Sequence, residues 1–243
     1  MNKPVVNRVA HHQTSTGAVV GERGSEVPQA HEVTSVRPRV ALVMAGGTGG
    51  HIFPGLALAE ALRDKGWRVH WLGGKGSASQ PSMESQLVPL RGFAFESIDF
   101  SGVRGKGLST LVFLPLRLLK AFWQSIGVIR RVKPDVVIGL GGYIAFPAGM
   151  MSVLLGKPLV LHEQNSVAGL VNKVLATVAD RVFTAFPNAL NNSRWVGNPL
   201  RAAFTAQPGP QQPGGACLDN VVSCTRRVLT RRRRAILADH PVP

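Results

Sequence analysis

A glycine-rich loop that ends in a histidine is the first feature of the chain that could do chemistry. The loop, AGGTGGH at residues 45–51, follows a short apolar run and precedes a helical pattern. Glycines let a backbone turn sharply and approach a ligand closely, and a helix N-terminus attracts anions. His51 could serve as a base or as a donor to a phosphate. The spacing fits neither the dinucleotide nor the ATP fingerprint, and a tight turn with a capped, solvated histidine is the alternative.

Two further clusters follow other apolar runs. GLGGY at residues 139–143 is a second glycine-rich turn, although Tyr143 could simply pack in the core. HEQN at residues 162–165 places four polar side chains directly after an apolar run. Helix capping by Asn165 and a surface pair of His162 with Glu163 would explain this cluster without a site. Arg201 is available for a phosphate.

Alternating strands and helices must position these loops. The pattern predicts strands over 40–44, 67–72, 94–98, 135–140, 158–161 and 181–184, with helices over 53–65, 83–90, 108–132, 145–155 and 168–179. The long helix should end before the Lys133-Pro134 step, because a residue that precedes proline avoids helical geometry. Strands spaced by helices indicate an α/β fold with a Rossmann-like parallel sheet. Ligands of such a sheet bind at the carboxyl ends of its strands.

Composition divides the chain into three parts. Residues 1–37 are polar and aperiodic and should form a disordered extension, residues 38–204 form the domain, and residues 205–243 should form a disordered basic tail. Residues 37–206 hold 19 basic and 8 acidic side chains of a chain whose net charge is +15, which suits an anionic partner. The basic residues are dispersed and lack interleaved aromatic side chains, so no nucleic-acid partner is expected.

Five segments, taken in order, resemble the N-terminal half of the MurG family: VALVMAGGTGGHIFPGLALAEAL, SGVRGKG, PDVVIGLGGY, LHEQNSVAGLVNK and FPNALNNSRWVGNPLR. These enzymes transfer N-acetylglucosamine to the undecaprenyl-pyrophosphoryl-muramoyl-pentapeptide of peptidoglycan synthesis. The resemblance covers residues 38–204 and implies the N-terminal domain of a glycosyltransferase B fold. In that fold two Rossmann-like halves face each other across a cleft, and the N-terminal half handles the lipid-linked acceptor and the membrane.

The resemblance also implies roles for individual residues. The positions that match contacts to the donor are Thr48, Gly49, Gly50, Asn165 and Arg201. The positions that match residues needed for activity are His51, Tyr143, His162, Glu163 and Asn172.

The implied reaction is an inverting transfer from UDP-N-acetylglucosamine. His51 is the first candidate for the general base, and Glu163 with His162 is the second. No cofactor and no metal are expected, because no acidic metal motif lies near these loops; helix dipoles and arginine would stabilise the diphosphate. The resemblance places the protein at the cytoplasmic face of the bacterial plasma membrane as a peripheral protein.

Two departures from the family pattern bear on activity. The segment GKGSASQPS indicates an enlarged loop, and an arginine-rich tail stands where the family continues into its second domain. We therefore expect impaired turnover by this chain. A non-catalytic module that binds the membrane or the acceptor lipid is the alternative function.

The predicted long helix offers a membrane-facing surface. One apolar stripe, at Leu108, Leu111, Val112, Leu119, Phe122 and Ile126, has the spacing of a helix face that packs on a sheet. A second apolar set, Phe113, Leu116 and Trp123, lies off that stripe and should be exposed. Arg104, Lys106, Arg117 and Lys120 border this set. An ordinary helix buried on two sides is the alternative.

Overall fold

Seven parallel strands form the centre of the protein in the computed structural model. The structure describes residues 37–77, 79–100, 112–199, 218–225 and 227–229. The strands are β1 (Val40–Ala45), β2 (Arg68–Gly74), β3 (Ala94–Ile98), β4 (Val136–Gly141), β5 (Leu159–Glu163), β6 (Arg181–Thr184) and β7 (Arg194–Trp195). Their order across the sheet is β3-β2-β1-β4-β5-β6-β7. The direction of strand addition therefore reverses between β1 and β4.

Helices cover both faces of this sheet. They are α1 (Gly49–Asp64), α2 (Met83–Leu90), α3 (Leu114–Val132), α4 (Ala145–Leu154) and α5 (Leu170–Ala176). Successive β1 side chains point to opposite faces, so Ala41 and Val43 pack in the core beneath α1 and α2. Leu42 and Met44 pack in the other core, beneath α3 and α4. Burial on both faces explains why β1 is apolar throughout.

The predicted α/β fold is confirmed, and the differences are local. The first helix starts at Gly49 instead of residue 53. The prediction missed this start because the helix begins with two glycines, which helix propensity disfavours. The long helix ends at Val132, as the following Lys133-Pro134 step requires, and Lys133 takes a left-handed conformation with φ +50°.

The predicted packing stripe of the long helix is partly wrong. Phe122 and Ile126 pack against the core as expected, but Val112 and Leu119 are exposed. Leu108 and Leu111 lie outside the described residues. The buried face consists of small and β-branched residues, at Ala121, Ser125, Val128, Ile129 and Val132. The error arose because hydropathy alone favours the large apolar residues over Ala121 and Ser125.

A C-terminal helical segment, residues 218–225 and 227–229, is a second difference. The sequence analysis predicted a disordered tail over residues 205–243, but residues 218–225 and 227–229 of that tail are helical. Val221 and Val222 are buried in the same core as α1 and α2, and Lys65 pairs with Asp219 at 2.5 Å. Leu218, Val221, Val222 and Val228 have the apolar spacing of a helix, and the buried Thr225 lies on the same face, but the adjacent arginine run obscured this pattern.

None of the helices within the described ranges is long and apolar enough to cross a membrane.

Candidate active site

The three predicted loops meet at one edge of the sheet. The glycine loop follows β1, the second glycine turn follows β4, and the polar cluster begins at the end of β5. Ala45 pairs with Gly141, and Gly139 pairs with Leu161, so the ends of the three strands lie side by side. This edge is the switch point of the sheet, where α/β proteins bind ligands.

The glycine loop presents backbone amides that have no hydrogen-bond partner among the described residues. Gly47 has φ +86°, a left-handed conformation that glycine adopts without strain. Thr48 is the N-cap of α1 but makes no side-chain cap hydrogen bond. The amides of Gly49 and Gly50, in the first helical turn, have no acceptor within the helix. Gly50 is exposed and Gly49 is partly exposed, so these donors are open to an anionic ligand.

The second glycine turn packs directly against the first. Gly141 and Gly142 have φ +113° and +84°. A Cβ on Gly142 would lie 2.3 Å from the carbonyl oxygen of Gly46, so no larger residue fits there. A Cβ on Gly141 would lie 2.9 Å from Cε1 of His51. The histidine ring therefore rests on the backbone of the second turn.

Tyr143 forms a wall of the site. Its ring atom Cε1 lies 3.2 Å from where a Cβ on Gly47 would stand, and its hydroxyl oxygen lies 3.1 Å from where a Cβ on Gly74 would stand. Burial, and then the nearby charge of Glu84, raise the pKa of Tyr143, so its hydroxyl stays protonated at neutral pH. Glu84 is itself buried, and its Oε1 accepts a hydrogen bond from the amide of Gly74 at 3.1 Å.

Glu163 organises the loop that follows β5. Its side chain is 1 % exposed. Oε1 accepts hydrogen bonds from the backbone and side-chain nitrogens of Asn165 at 2.9 and 2.8 Å. Oε2 accepts from the amide of Gly169 at 3.1 Å and from Nδ2 of Asn172 at 2.9 Å. Each oxygen of this carboxylate therefore accepts two hydrogen bonds from the loop that follows it.

His51 lies at the end of a hydrogen-bonded chain. Its Nδ1 is 2.8 Å from Oε1 of Gln164. Nε2 of Gln164 is 3.0 Å from Nδ1 of His162, and Nε2 of His162 is 3.0 Å from the carbonyl oxygen of Gly197. Burial lowers the pKa of His162 to about 4, so this ring is neutral near pH 7. Both nitrogens of His162 have partners, and His51 is the histidine left with a nitrogen outside this chain of bonds.

The predicted residues divide into an open layer and a buried layer. Thr48, Gly50 and Asn165 are exposed, and Gly49 and His51 are partly so. His162, Glu163 and Asn172 are buried beneath them. Oδ1 of Asn172 is buried without a hydrogen-bond partner among the described residues. Arg201 and the SGVRGKG segment lie outside the described residues.

Sequence reasoning missed two residues that contact the candidate site, Gln164 and Glu84. Gln164 belongs to the polar cluster, but no role was assigned to it, because only three-dimensional contacts reveal that it joins two histidines. Glu84 lies in the first turn of α2, where an acidic residue is favourable in any helix. Its burial against the glycine loop has no local sequence signal.

The fold and the site together define the Rossmann-like N-terminal domain of a glycosyltransferase B fold. The model of the glycosyltransferase family 28 N-terminal domain matches residues 41–184. The chain belongs to glycosyltransferase family 28.

Individual relatives agree with this assignment and with the resemblance to the MurG family. A "UDP-N-acetylglucosamine--N-acetylmuramyl-(pentapeptide) pyrophosphoryl-undecaprenol N-acetylglucosamine transferase" of Polaromonas sp. strain JS666 is 84 % identical over 180 residues, which are 74 % of this chain and 46 % of the relative. The protein of the same name from Albidiferax ferrireducens is 78 % identical over 170 residues, 70 % of this chain and 44 % of the relative. The crystal structure of Acinetobacter baumannii MurG is 40 % identical with a TM-score of 0.56, and covers 65 % of this chain and 44 % of that protein. The chain thus spans about half the length of the curated relatives it matches.

Proposed function

We propose that this chain forms the acceptor- and membrane-side half of an inverting hexosyltransferase. The reaction moves N-acetylglucosamine from UDP-N-acetylglucosamine to undecaprenyl-pyrophosphoryl-muramoyl-pentapeptide, the lipid I to lipid II step of peptidoglycan synthesis. Family membership and the activity for which the relatives are named support this assignment. A full-length relative that carries residues 38–204 of this chain is expected to transfer labelled sugar to that acceptor.

The observation that carries the proposal is the hydrogen bonding of the two ring nitrogens of His51. Nδ1 is hydrogen-bonded to Gln164, and Nε2 makes no hydrogen bond within the described ranges. In the reaction, the acceptor hydroxyl oxygen attacks the anomeric carbon of the donor sugar, and its proton passes to Nε2 of His51. The bond from that carbon to the β-phosphate oxygen breaks, and UDP leaves with the electron pair. A positioned base of this kind contributes about 10²–10⁴-fold to a rate.

The alternative bases fit this role less well. Glu163 accepts four hydrogen bonds from its own loop and is buried. Both ring nitrogens of His162 have partners, and burial lowers its pKa to about 4. We assign these two residues to holding the site together and leave proton transfer to His51.

The leaving diphosphate would lie at the N-terminus of α1. The open amides of Gly49 and Gly50 and the helix dipole favour negative charge there. Thr48 is exposed beside them, and Asn165 is exposed on the neighbouring loop of the same edge. We propose these four residues, with Arg201, as the contacts that this chain makes to the donor.

An exposed apolar surface on α3 and on the two residues that precede it supports docking to the membrane. Phe113, Leu116 and Trp123 are 57 %, 66 % and 67 % exposed, and Val112 and Leu119 enlarge the surface. Arg117 and Lys120 lie on the same exposed part of the helix, with Lys120 paired to Asp99 at 2.5 Å. An apolar patch beside cations suits the interface of an anionic bilayer. We propose peripheral attachment there, at the cytoplasmic face of the plasma membrane, where the acceptor's lipid chain is anchored.

The double variant Phe113→Ser with Trp123→Ser is expected to weaken binding to anionic vesicles about ten- to thirtyfold. Each side chain would otherwise transfer part of its apolar area into the interface. Co-sedimentation with vesicles at increasing lipid concentration measures the change.

The matched control is Leu90→Ser with Leu154→Ser, two residues that are 81 % and 72 % exposed on other helices. It should bind vesicles like the unaltered chain. If the two double variants bind equally well, α3 is not the membrane-facing element.

A further inference from the structure

We propose that Gln164 is a positioning residue that fixes the tautomer of His51, with the hydrogen on Nδ1 and the lone pair on Nε2. The inference rests on the proposed function only where it assigns the lone pair a role in catalysis. The hydrogen bonds that fix the tautomer are observed in this chain and do not depend on that function.

The orientation of the Gln164 amide follows from a backbone contact. Its Nε2 lies 2.7 Å from the carbonyl oxygen of His162, and a carbonyl oxygen can only accept. The reversed amide would place two oxygens at that distance with no hydrogen between them. The amide nitrogen therefore faces His162, and the amide oxygen faces His51.

The tautomer of His51 follows from that orientation. Oε1 of Gln164 can only accept, and it lies 2.8 Å from Nδ1 of His51. Nδ1 must therefore carry the hydrogen, and in the neutral ring the acceptor is Nε2. The backbone of Gly141 lies against the same ring edge, since a Cβ there would be 3.0 Å from Nδ1. This packing holds the edge of the ring that carries Nδ1 towards Gln164.

His162 anchors the other end of the chain of bonds. Its Nε2 donates to the carbonyl oxygen of Gly197 at 3.0 Å, so the neutral ring has its acceptor on Nδ1. That acceptor receives the second hydrogen of the Gln164 amide at 3.0 Å. Every hydrogen bond from His51 to Gly197 is then donated in the same direction. Gln164 is only 5 % exposed, so water does not readily replace its hydrogen-bond partners.

Two variants separate the amide's chemistry from its volume. Gln164→Leu keeps much of the volume and removes the acceptor for His51. Gln164→Asn keeps the amide but shortens the side chain by one methylene. Gln86→Leu is the matched control, because Gln86 is exposed on α2 and away from the site.

The test is the ¹⁵N spectrum of the histidine rings in the 243-residue chain at about pH 8, above the usual histidine pKa of ~6.5. Loss of one signal set in His51→Asn identifies His51. We expect the hydrogen of His51 on Nδ1, and a change of about tenfold in the tautomer ratio in Gln164→Leu, as the loss of one buried hydrogen bond allows. Gln86→Leu should leave the ratio unchanged.

The hydrogen on Nε2 of His51 in the unaltered chain would overturn the proposal, and this result depends on no Gln164 variant. An unchanged ratio in a Gln164→Leu chain that keeps its circular dichroism would also overturn it, whereas Gln164→Asn, which keeps the amide, should change the ratio less than Gln164→Leu. In a full-length relative with the same residues, Gln164→Leu should lower kcat with little change in KM for UDP-N-acetylglucosamine. The tautomer is measured without any reaction, so its result stands even if such a relative carries out another reaction. Failure of the tautomer proposal can therefore be distinguished from failure of the proposed function.

Discussion

Replacing His51 with alanine is expected to lower turnover by about 10²–10⁴-fold in a full-length relative with the same glycine loop. The variant removes the only unpaired ring nitrogen that the described part of the site offers, while the helix amides and the glycine turns remain. The rate of sugar transfer at saturating donor and acceptor measures the effect. KM for the donor should change little, because a base contributes to the transition state and not to ground-state binding.

The position corresponding to His70 provides the matched control. His70 lies on β2, where its Nδ1 is 3.6 Å from Glu96, away from the glycine loop. His70→Ala should retain turnover within a few-fold. Equal rates in the two histidine variants would exclude His51 as the base.

Replacing Glu163 with alanine is expected to destabilise the chain by about 2–4 kcal/mol. The buried side chain of Asn172 would lose its acceptor, at about 1–3 kcal/mol for an unsatisfied buried group, and the Asn165–Gly169 loop would lose its anchor. For a domain of this size the melting temperature should fall by roughly 5–15 °C. Urea denaturation of the chain measures the free energy directly.

Glu60→Ala is the control for Glu163→Ala. Glu60 pairs with Arg91 at 2.8 Å near the surface, and such pairs contribute about 0–1 kcal/mol. Glu163→Gln should fall between the two alanine variants, since its amide nitrogen would face donors. A Glu163→Ala chain as stable as Glu60→Ala would contradict the structural role and restore Glu163 as a candidate base.

The sequence was sufficient to predict that the three polar and glycine-rich loops meet at one edge of the sheet. Apolar runs alternate with helical patterns, and parallel strands bring their carboxyl ends to one edge, so residues 45–51, 139–143 and 162–165 had to meet. Their order along the chain also supported the family, which the family model confirms.

The role of each residue at this edge of the sheet could not be predicted in this way. His51, His162 and Glu163 are equally plausible bases by residue type, and only their hydrogen-bond partners separate them. Glu163 meets four donors from its own loop, and His162 is buried against Gly197. Val112 and Leu119 illustrate a different limit. Their hydropathy indicated burial, but the helix turns the smaller Ala121 and Ser125 to the core.

A chimera tests the central claim most directly. Residues 38–204 of this chain would replace the corresponding half of the Polaromonas sp. relative, which is 84 % identical over the aligned region. We expect this chimera to transfer labelled N-acetylglucosamine from UDP-N-acetylglucosamine to the undecaprenyl-linked muramoyl-pentapeptide at a rate within about tenfold of the relative, and the His51→Ala chimera to lose about 10²–10⁴-fold of that rate. A folded chimera that binds UDP-N-acetylglucosamine but yields no transfer product would contradict the assignment of this domain as a working acceptor-side half.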